Sequence, residues 1–221
     1  MDAGLRRAWG EIVTAADYEQ HMASIGQAQA GAALTAELME RAAIPAGGTI
    51  AIAGAGTGQM LDFLDTGLFR PYRLVCSDLN AAFVERLRER LAARGLEAEL
   101  LQDDIECTRL KAGPDLLLAV LLLEHIDWRR GVQAFGELRP AACGIVLQEN
   151  PPAMTTAVTP GRRLPPSLAK AVEMGHPALV PPAALIEAMQ AQGYRLLETA
   201  VREVADEKRL AGLLFRSAAR P

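Results

Sequence analysis

The sequence predicts an α/β protein whose mostly parallel, doubly wound sheet is covered by helices on both faces. From Thr49 onward, short apolar runs alternate with amphipathic segments, and this alternation is the signature of a parallel sheet buried on both sides. A cluster of glycines, Gly54, Gly56 and Gly58, follows directly on the first apolar run, as expected of a strand-to-helix turn that approaches a ligand. With 221 residues, half of them hydrophobic, the chain can bury the core of one ordinary domain.

Residues 1–45 read as helical. In "AALTAELMERAAIP", Leu34, Leu38 and Ala42 share a face, and Glu37 and Arg41 pair at i,i+4. Pro45 and the Gly47–Gly48 pair stop that helix. "TIAIA" is the first strand, and "QMLDFLD" begins a helix after the glycines. "YRLVCS" is the second strand. "NAAFVERLRERLAARG" follows as a helix that buries Phe83, Val84, Leu87 and Leu91. "EAELLQ", the start of "DLLLAVLLL" and "GIVLQE" are the third, fourth and fifth strands. Between the last two, "DWRRGVQAFGEL" is a helix with Asp127 as N-cap and a stripe of Trp128, Val132, Phe135 and Leu138. Residues 150–182 are proline-rich and irregular, long for a plain loop, and read as a lid or substrate loop, with a disordered linker as the competing reading. "PAALIEAMQAQG" is a helix with Pro182 in its first turn and Gly193 at its end, and two strand candidates, "YRLLETAVREV" and "RLAGLLFRS", follow. The expected division is a helical cap, 1–45, and a sheet domain, 46–221, that carries the lid.

Charge and cysteine content narrow the function. Against 23 Lys+Arg stand 27 Asp+Glu, a net charge of −4, which is not the basic footprint of a nucleic-acid binder. No apolar run can span a bilayer, and "MDAGLRRAWG" lacks a signal-peptide core. Cys76, Cys107 and Cys143 are widely spaced, with no CxxC pair to hold zinc or to form a disulfide framework. Reduced thiols and a cytoplasmic location are therefore expected, with no membrane association.

The glycine cluster excludes two common phosphate sites. A dinucleotide fingerprint requires a third glycine where Gln59 stands, and a Walker loop requires a lysine that is absent. What remains is G-x-G-x-G on a first strand-to-helix turn. Asp78 ends the second strand, where a carboxylate can accept hydrogen bonds from two ribose hydroxyls. Asp103 and Asp104 end the third strand, beside the point where the strand order reverses.

Together these residues resemble the class I S-adenosylmethionine-dependent methyltransferases, in order, across most of residues 49–217. "AIAGAGTG" is similar to the family's glycine motif, "LVCSDLN" to its ribose motif, "LLQDDIE" to its third motif and "LLLEHIDW" to the LEHI signature of small-molecule methyltransferases. "RPAACG" stands in place of the family's usual KPGG turn. The resemblance implies a Rossmann-like, seven-stranded sheet with a reversed C-terminal strand, and S-adenosyl-L-methionine as cofactor. It implies cofactor contacts from Gly54, Ala55, Gly56, Gly58, Asp78, Leu79 and Leu121, with Asp104 at the adenine amine and Ile105 beside the ring.

Methyl transfer from a sulfonium requires alignment of the acceptor and, for a hydroxyl or amide, removal of a proton. His125, just past the fourth strand, is the expected base, with Glu124 beside it; the competing role for His125 is ordering of the loop. Tyr18, His21, Gln27 and Gln29 lie in a polar helical segment that in related enzymes folds over the cofactor, so they are expected near the cofactor's carboxylate or the acceptor. The competing role for that segment is a solvated terminal helix. The resemblance extends to quinone-type O-methyltransferases that hold a divalent metal through residues placed like Glu124 and His125 and an acid one turn earlier; Leu121 stands at that earlier position, so no metal is expected. His176 reads as a surface turn. Arg162 and Arg163, in the lid, are either partners for an acidic acceptor or ordinary surface. "ENPPA" has the Asn-Pro-Pro of base-modifying methyltransferases, but after the wrong strand and with Ala153 in place of the stacking aromatic; Glu149 remains open as a group facing the acceptor. A small-molecule acceptor is therefore expected, with O-methylation favoured over N- or C-methylation. The alternatives are methylation of RNA or protein, and a non-catalytic cofactor-binding module.

Overall fold

A computed structural model describes residues 3–159 and 161–219. Its seven-stranded sheet has the order β3-β2-β1-β4-β5-β7-β6, with β1 Thr49–Ala53, β2 Arg73–Asp78, β3 Glu99–Gln102, β4 Leu116–Val120, β5 Ala142–Glu149, β6 Tyr194–Glu203 and β7 Arg209–Ser217. The first five strands are parallel, and β7 runs antiparallel to β5 and to β6. The expected parallel sheet with one reversed strand near its C-terminal edge is therefore present. Strand order reverses between β1 and β4, and ligands of such sheets sit at the carboxyl ends there.

Alternation along the strands divides the core into two layers. Ala51 and Ala53 of β1, with Leu117, Ile145 and Phe215, face helices α5 (Trp128–Leu138) and α7 (Pro182–Ala191), which contribute Val132, Phe135, Leu185 and Met189. Ile50 and Ile52, with Leu116, Leu118 and Leu214, face α3 (Gln27–Ala42) and α4 (Ala81–Ala93) through Leu34, Leu38, Leu87 and Leu91. Helix α3, expected in the cap, thus covers the sheet itself. The α4 and α5 helices start as their sequences dictate. Asn80 accepts from Ala82 and Phe83 N–H, and Asp127 from Arg129 and Arg130 N–H.

Two elements differ from expectation. The segment after the glycines is not an α-helix but two 3₁₀ turns, Gln59–Phe63 and Thr66–Phe69. Asp65 takes an extended conformation and its carboxylate accepts from Gly67 N–H, a local turn that competes with helix propagation. The proline-rich stretch is not wholly irregular: Pro166–Met174 forms α6, opened by prolines in its first turn. Helix α6 packs on α1 (Ala3–Arg7), on a π-helical turn Ala8–Ile12 and on α2 (Ala15–Ile25). Ala8, Val13, Phe83, Leu168 and Ala171 form a third apolar cluster there.

Candidate active site

The N-terminal segment and α6 form a roof over the carboxyl ends of the strands, and specific bonds hold it down. Asn80, besides capping α4, donates its amide N–H groups to the Trp9 and Val13 carbonyls at 2.8 and 3.0 Å. Arg90 bonds to Glu19 of α2 at 2.8 Å and also to the Thr57 carbonyl. Gln59, the residue that breaks the dinucleotide fingerprint, donates to the Glu19 carbonyl at 3.1 Å. Asp17 of α2 accepts from Ser167 N–H at 2.8 Å, joining the roof to the first turn of α6; hydrogen bonding to Ser167 holds its carboxyl below the ordinary range.

Beneath this roof lies a cleft enclosing about 1470 Å³, its open mouth included. One wall is the β1 turn. Gly54, Gly56 and Gly58 all have positive φ, at 64°, 59° and 70°. A Cβ at Gly58 would collide with Leu87, and one at Gly54 would lie 2.6 Å from Leu122, whereas a Cβ at Gly56 would meet nothing closer than Tyr18 at 3.5 Å. Gly54 and Gly58 are therefore needed for packing as well as for φ, whereas at Gly56 a Cβ would meet only the ordinary contact of the Tyr18 ring. Gly56 N–H donates to Asp78 at 2.8 Å, and the other Asp78 oxygen accepts from Asn80 N–H at 2.9 Å. Burial raises the Asp78 carboxyl to about 6, against the pull of these backbone donors.

The β3 end supplies two carboxylates with different work. Asp103 accepts from the Thr108 hydroxyl and Arg109 N–H and so folds its own loop. Asp104 accepts from Glu106 N–H and, through its other oxygen, pairs with Arg6 of the roof at 2.7 Å. Leu121, the residue after β4, has φ 53°, a conformation costly for a side-chain-bearing residue and most often kept where a site requires it.

Glu124 and His125 follow in a 3₁₀ turn, Leu123–His125. Glu124 Oε1 accepts from Gln148 N–H at 2.6 Å, while Oε2 is buried without a partner. Burial raises its carboxyl to about 7. The His125 ring lies 4.1 Å from the Trp9 ring, and its Nδ1 is also buried and unpartnered. Burial lowers this imidazole to about 4, so it is neutral near pH 7. Tyr18 lies between Trp9 and Phe83, with ring centroids 6.3 and 5.0 Å away, and burial pushes its phenol up. Two orphaned polar atoms in adjacent residues are uncommon in a buried setting.

Of the residues singled out in the sequence, Tyr18, His21, Gly54, Gly56, Asp78, Leu79, Asp104, Ile105, Leu121, Glu124 and His125 line the main cleft, as does Gln27. Ala55 and Gly58 line a smaller adjoining pocket with Tyr18, Gln27 and Leu121. Gln29 is exposed and lines neither. Glu149 does not face the cleft: it pairs with Arg209 at 3.0 Å, its neighbour in the β5–β7 register. Asn150 of "ENPPA" donates to the Met154 and Thr156 carbonyls, folding the loop back on itself. His176 is exposed, and so is Arg163, but Arg162 lines the cleft. Sequence reasoning missed Trp9, Gln148, Asp206 and Lys208. They come from the π-helical turn after α1, a strand end and a hairpin, and only folding brings them together. Among the described residues, no three His, Cys, Asp or Glu side chains converge as metal ligands, and no helix is long and apolar enough to cross a membrane.

The comparisons agree with this geometry. A family model described as a methyltransferase domain matches residues 50–141, the span from β1 to the turn before β5. Residues 50–141 thus match a methyltransferase domain, and the chain has the seven-stranded fold of the methyltransferase structures below. Its fold is similar to magnesium protoporphyrin IX methyltransferase from Synechocystis PCC 6803 with bound S-adenosylhomocysteine, at 14% identity and TM-score 0.62, over 91% of this chain and 84% of that one. It is also similar to an S-adenosylmethionine-dependent methyltransferase from Clostridium acetobutylicum, at 10% identity and TM-score 0.63, over 85% and 91% of the two chains. A structure reported for the conversion of a disulfide bond into a thioacetal group in echinomycin biosynthesis matches at 21% identity and TM-score 0.57, over 84% and 82%. No protein of curated function matches the chain. The methyltransferase-domain match makes the protein an enzyme of the methyltransferase class.

Proposed function

We propose that the enzyme transfers a methyl group to a small-molecule acceptor bound beneath the roof, with an oxygen atom as the favoured target. The observation that carries this reading is the continuation of the cleft. Past Asp78 and Gly56 it runs into a chamber walled by Glu124, His125, Gln148 and the apolar side chains of Met22, Ile25, Leu164, Leu168 and Val172. The roof of α1, α2 and α6 suits an acceptor small enough to be enclosed, rather than a polymer.

The residues fit the cofactor. The Asp78 carboxylate can take ribose hydroxyls, Gly56 offers bare backbone, and Leu79 and Ile105 are apolar neighbours for a base, with Asp104 available to its amine once Arg6 yields. When bound, the cofactor supplies a methyl carbon activated by its sulfonium. The protein's part is to align the acceptor, exclude water and hold the released proton. Trp9, Tyr18 and Phe83 pack together above the turn and keep water out. Glu124 suits the proton better than the expected base, His125. A carboxyl held near 7 is matched to neutral pH, whereas an imidazole lowered to about 4 is a weak base. We therefore assign Glu124 Oε2 as proton acceptor. His125, neutral with its proton on Nε2, positions the acceptor by receiving a hydrogen bond at Nδ1.

The test is turnover with isotopically labelled methyl donor against panels of phenols, alcohols, amines and thiols, RNA and protein, with products read by mass spectrometry. Labelled methyl ethers from small hydroxyl compounds are the expected products. Label confined to RNA or protein would overturn the reading. Tight S-adenosylhomocysteine binding without turnover on any class would favour a cofactor-binding module.

A further inference from the structure

The chamber ends in charge that the transfer chemistry does not use. Arg162 of the lid and Lys208 of the β6–β7 hairpin both line it, with His21 from the roof. Asp206, one negative charge against these two cations, bonds directly to only one of them: both its oxygens bond Arg162, at 2.7 and 3.0 Å, and one also accepts from the Thr159 hydroxyl. Lys208 is 6% exposed. Its ammonium makes a single hydrogen bond, 2.7 Å, to the Ala157 carbonyl, and among the described residues no carboxylate lies within ion-pair distance of it. A buried ammonium has three donors to satisfy, and an unpaired buried charge is costly. The same Ala157 carbonyl also accepts from Gln148, whose backbone N–H meets Glu124. A short chain of bonds thus joins the cationic end to the proposed proton acceptor. The walls between are apolar: Met22, Ile25, Leu164, Val172, Pro177 and Val204.

Resting on the proposed function, we propose that Lys208, assisted by Arg162, binds a carboxylate on the acceptor, so that the substrates are apolar-bodied carboxylic acids. One uncompensated positive charge matches the single negative charge of a carboxylate and not the double charge of a phosphate. Burial, Arg162 and Lys208 together hold the His21 imidazole below its ordinary value, and a carboxylate seated beside the two cations would offset their effect on it.

The test is calorimetry on the full chain saturated with S-adenosylhomocysteine, using octanoate, octanamide and octyl phosphate, and cinnamate with cinnamamide. At least one acid is expected to bind about tenfold or more tighter than its amide, the scale of a charge-assisted hydrogen bond. In Lys208→Met that advantage should fall below about threefold with S-adenosylhomocysteine affinity unchanged. Amides binding as well as acids, octyl phosphate binding tighter than octanoate, or no acid binding at all would each overturn the proposal. A second readout uses the unaltered protein, whose three histidines can be followed by NMR. The tighter acid should raise the His21 pKa and its amide should leave it in place; an unmoved His21 also overturns the proposal, even if Lys208→Met does not fold. Failure to bind S-adenosylhomocysteine would instead strike the underlying functional reading.

Discussion

Asp78→Ala removes the carboxylate between the glycine turn and α4. In the structure its two oxygens accept from Gly56 and Asn80 N–H at 2.8 and 2.9 Å, and they are the acceptors available to a ribose beside them. A hydrogen bond to a charged group contributes about 1.5–3 kcal/mol, so losing its net worth should weaken S-adenosylhomocysteine binding by about 10- to 150-fold. The pH dependence gives a second, independent magnitude. Burial raises the carboxyl to about 6 from 3.8, and only the ionised form accepts donors at both oxygens. The raised value means that protonation competes with binding as the pH falls through about 6. Affinity should be nearly constant above about pH 7 and about tenfold weaker at about pH 5, a dependence that Asp78→Ala abolishes. Calorimetric titration of both proteins at three pH values measures both effects. Undiminished affinity in the variant, or the same acid weakening in both proteins, would refute the assignment of Asp78 to the cofactor.

Glu124→Gln keeps the acceptor for Gln148 N–H but removes the proposed base. The wild-type rate should rise as the pH passes through about 7, and the variant should lose about 10²–10⁴-fold of it and show no such rise; a variant rate with the wild-type profile would remove the role. Because the raised carboxyl costs folding stability once it ionises, the same variant should melt no lower than wild type at about pH 8. Gly58→Ala adds a methyl at φ 70° against Leu87, and should cost about 2–4 kcal/mol in urea unfolding from overpacking and backbone strain; an unchanged midpoint would mean the turn relaxes freely. Trp9→Ala opens the ring face of His125, so its imidazole should move up from about 4 toward 6.5 in an NMR titration; a fixed value would show that Trp9 is not what buries it.

Local pattern determined much of this protein. Alternation of apolar runs with amphipathic segments specified the sheet and its helices, because residues such as Ile50 and Ala51 must bury on opposite faces of one strand. Positions needing special chemistry were also legible: glycines at positive φ, Asn80 and Asp127 as caps, and the carboxylate ending β2. Asp65 and Gly67 escaped because a side-chain turn there competes with the helix their neighbours favour. Tertiary structure alone decided which acid folds a loop and which meets the roof, since Asp103 and Asp104 are adjacent and chemically identical. It alone gave Glu124 and His125 opposite shifts, because desolvation opposes whichever form is charged. It also gathered Trp9, Gln148, Arg162 and Lys208 around one cleft. These residues lie far apart along the chain, and no periodicity relates them. Their proximity follows from the long-range seating of roof, lid and hairpin on the sheet.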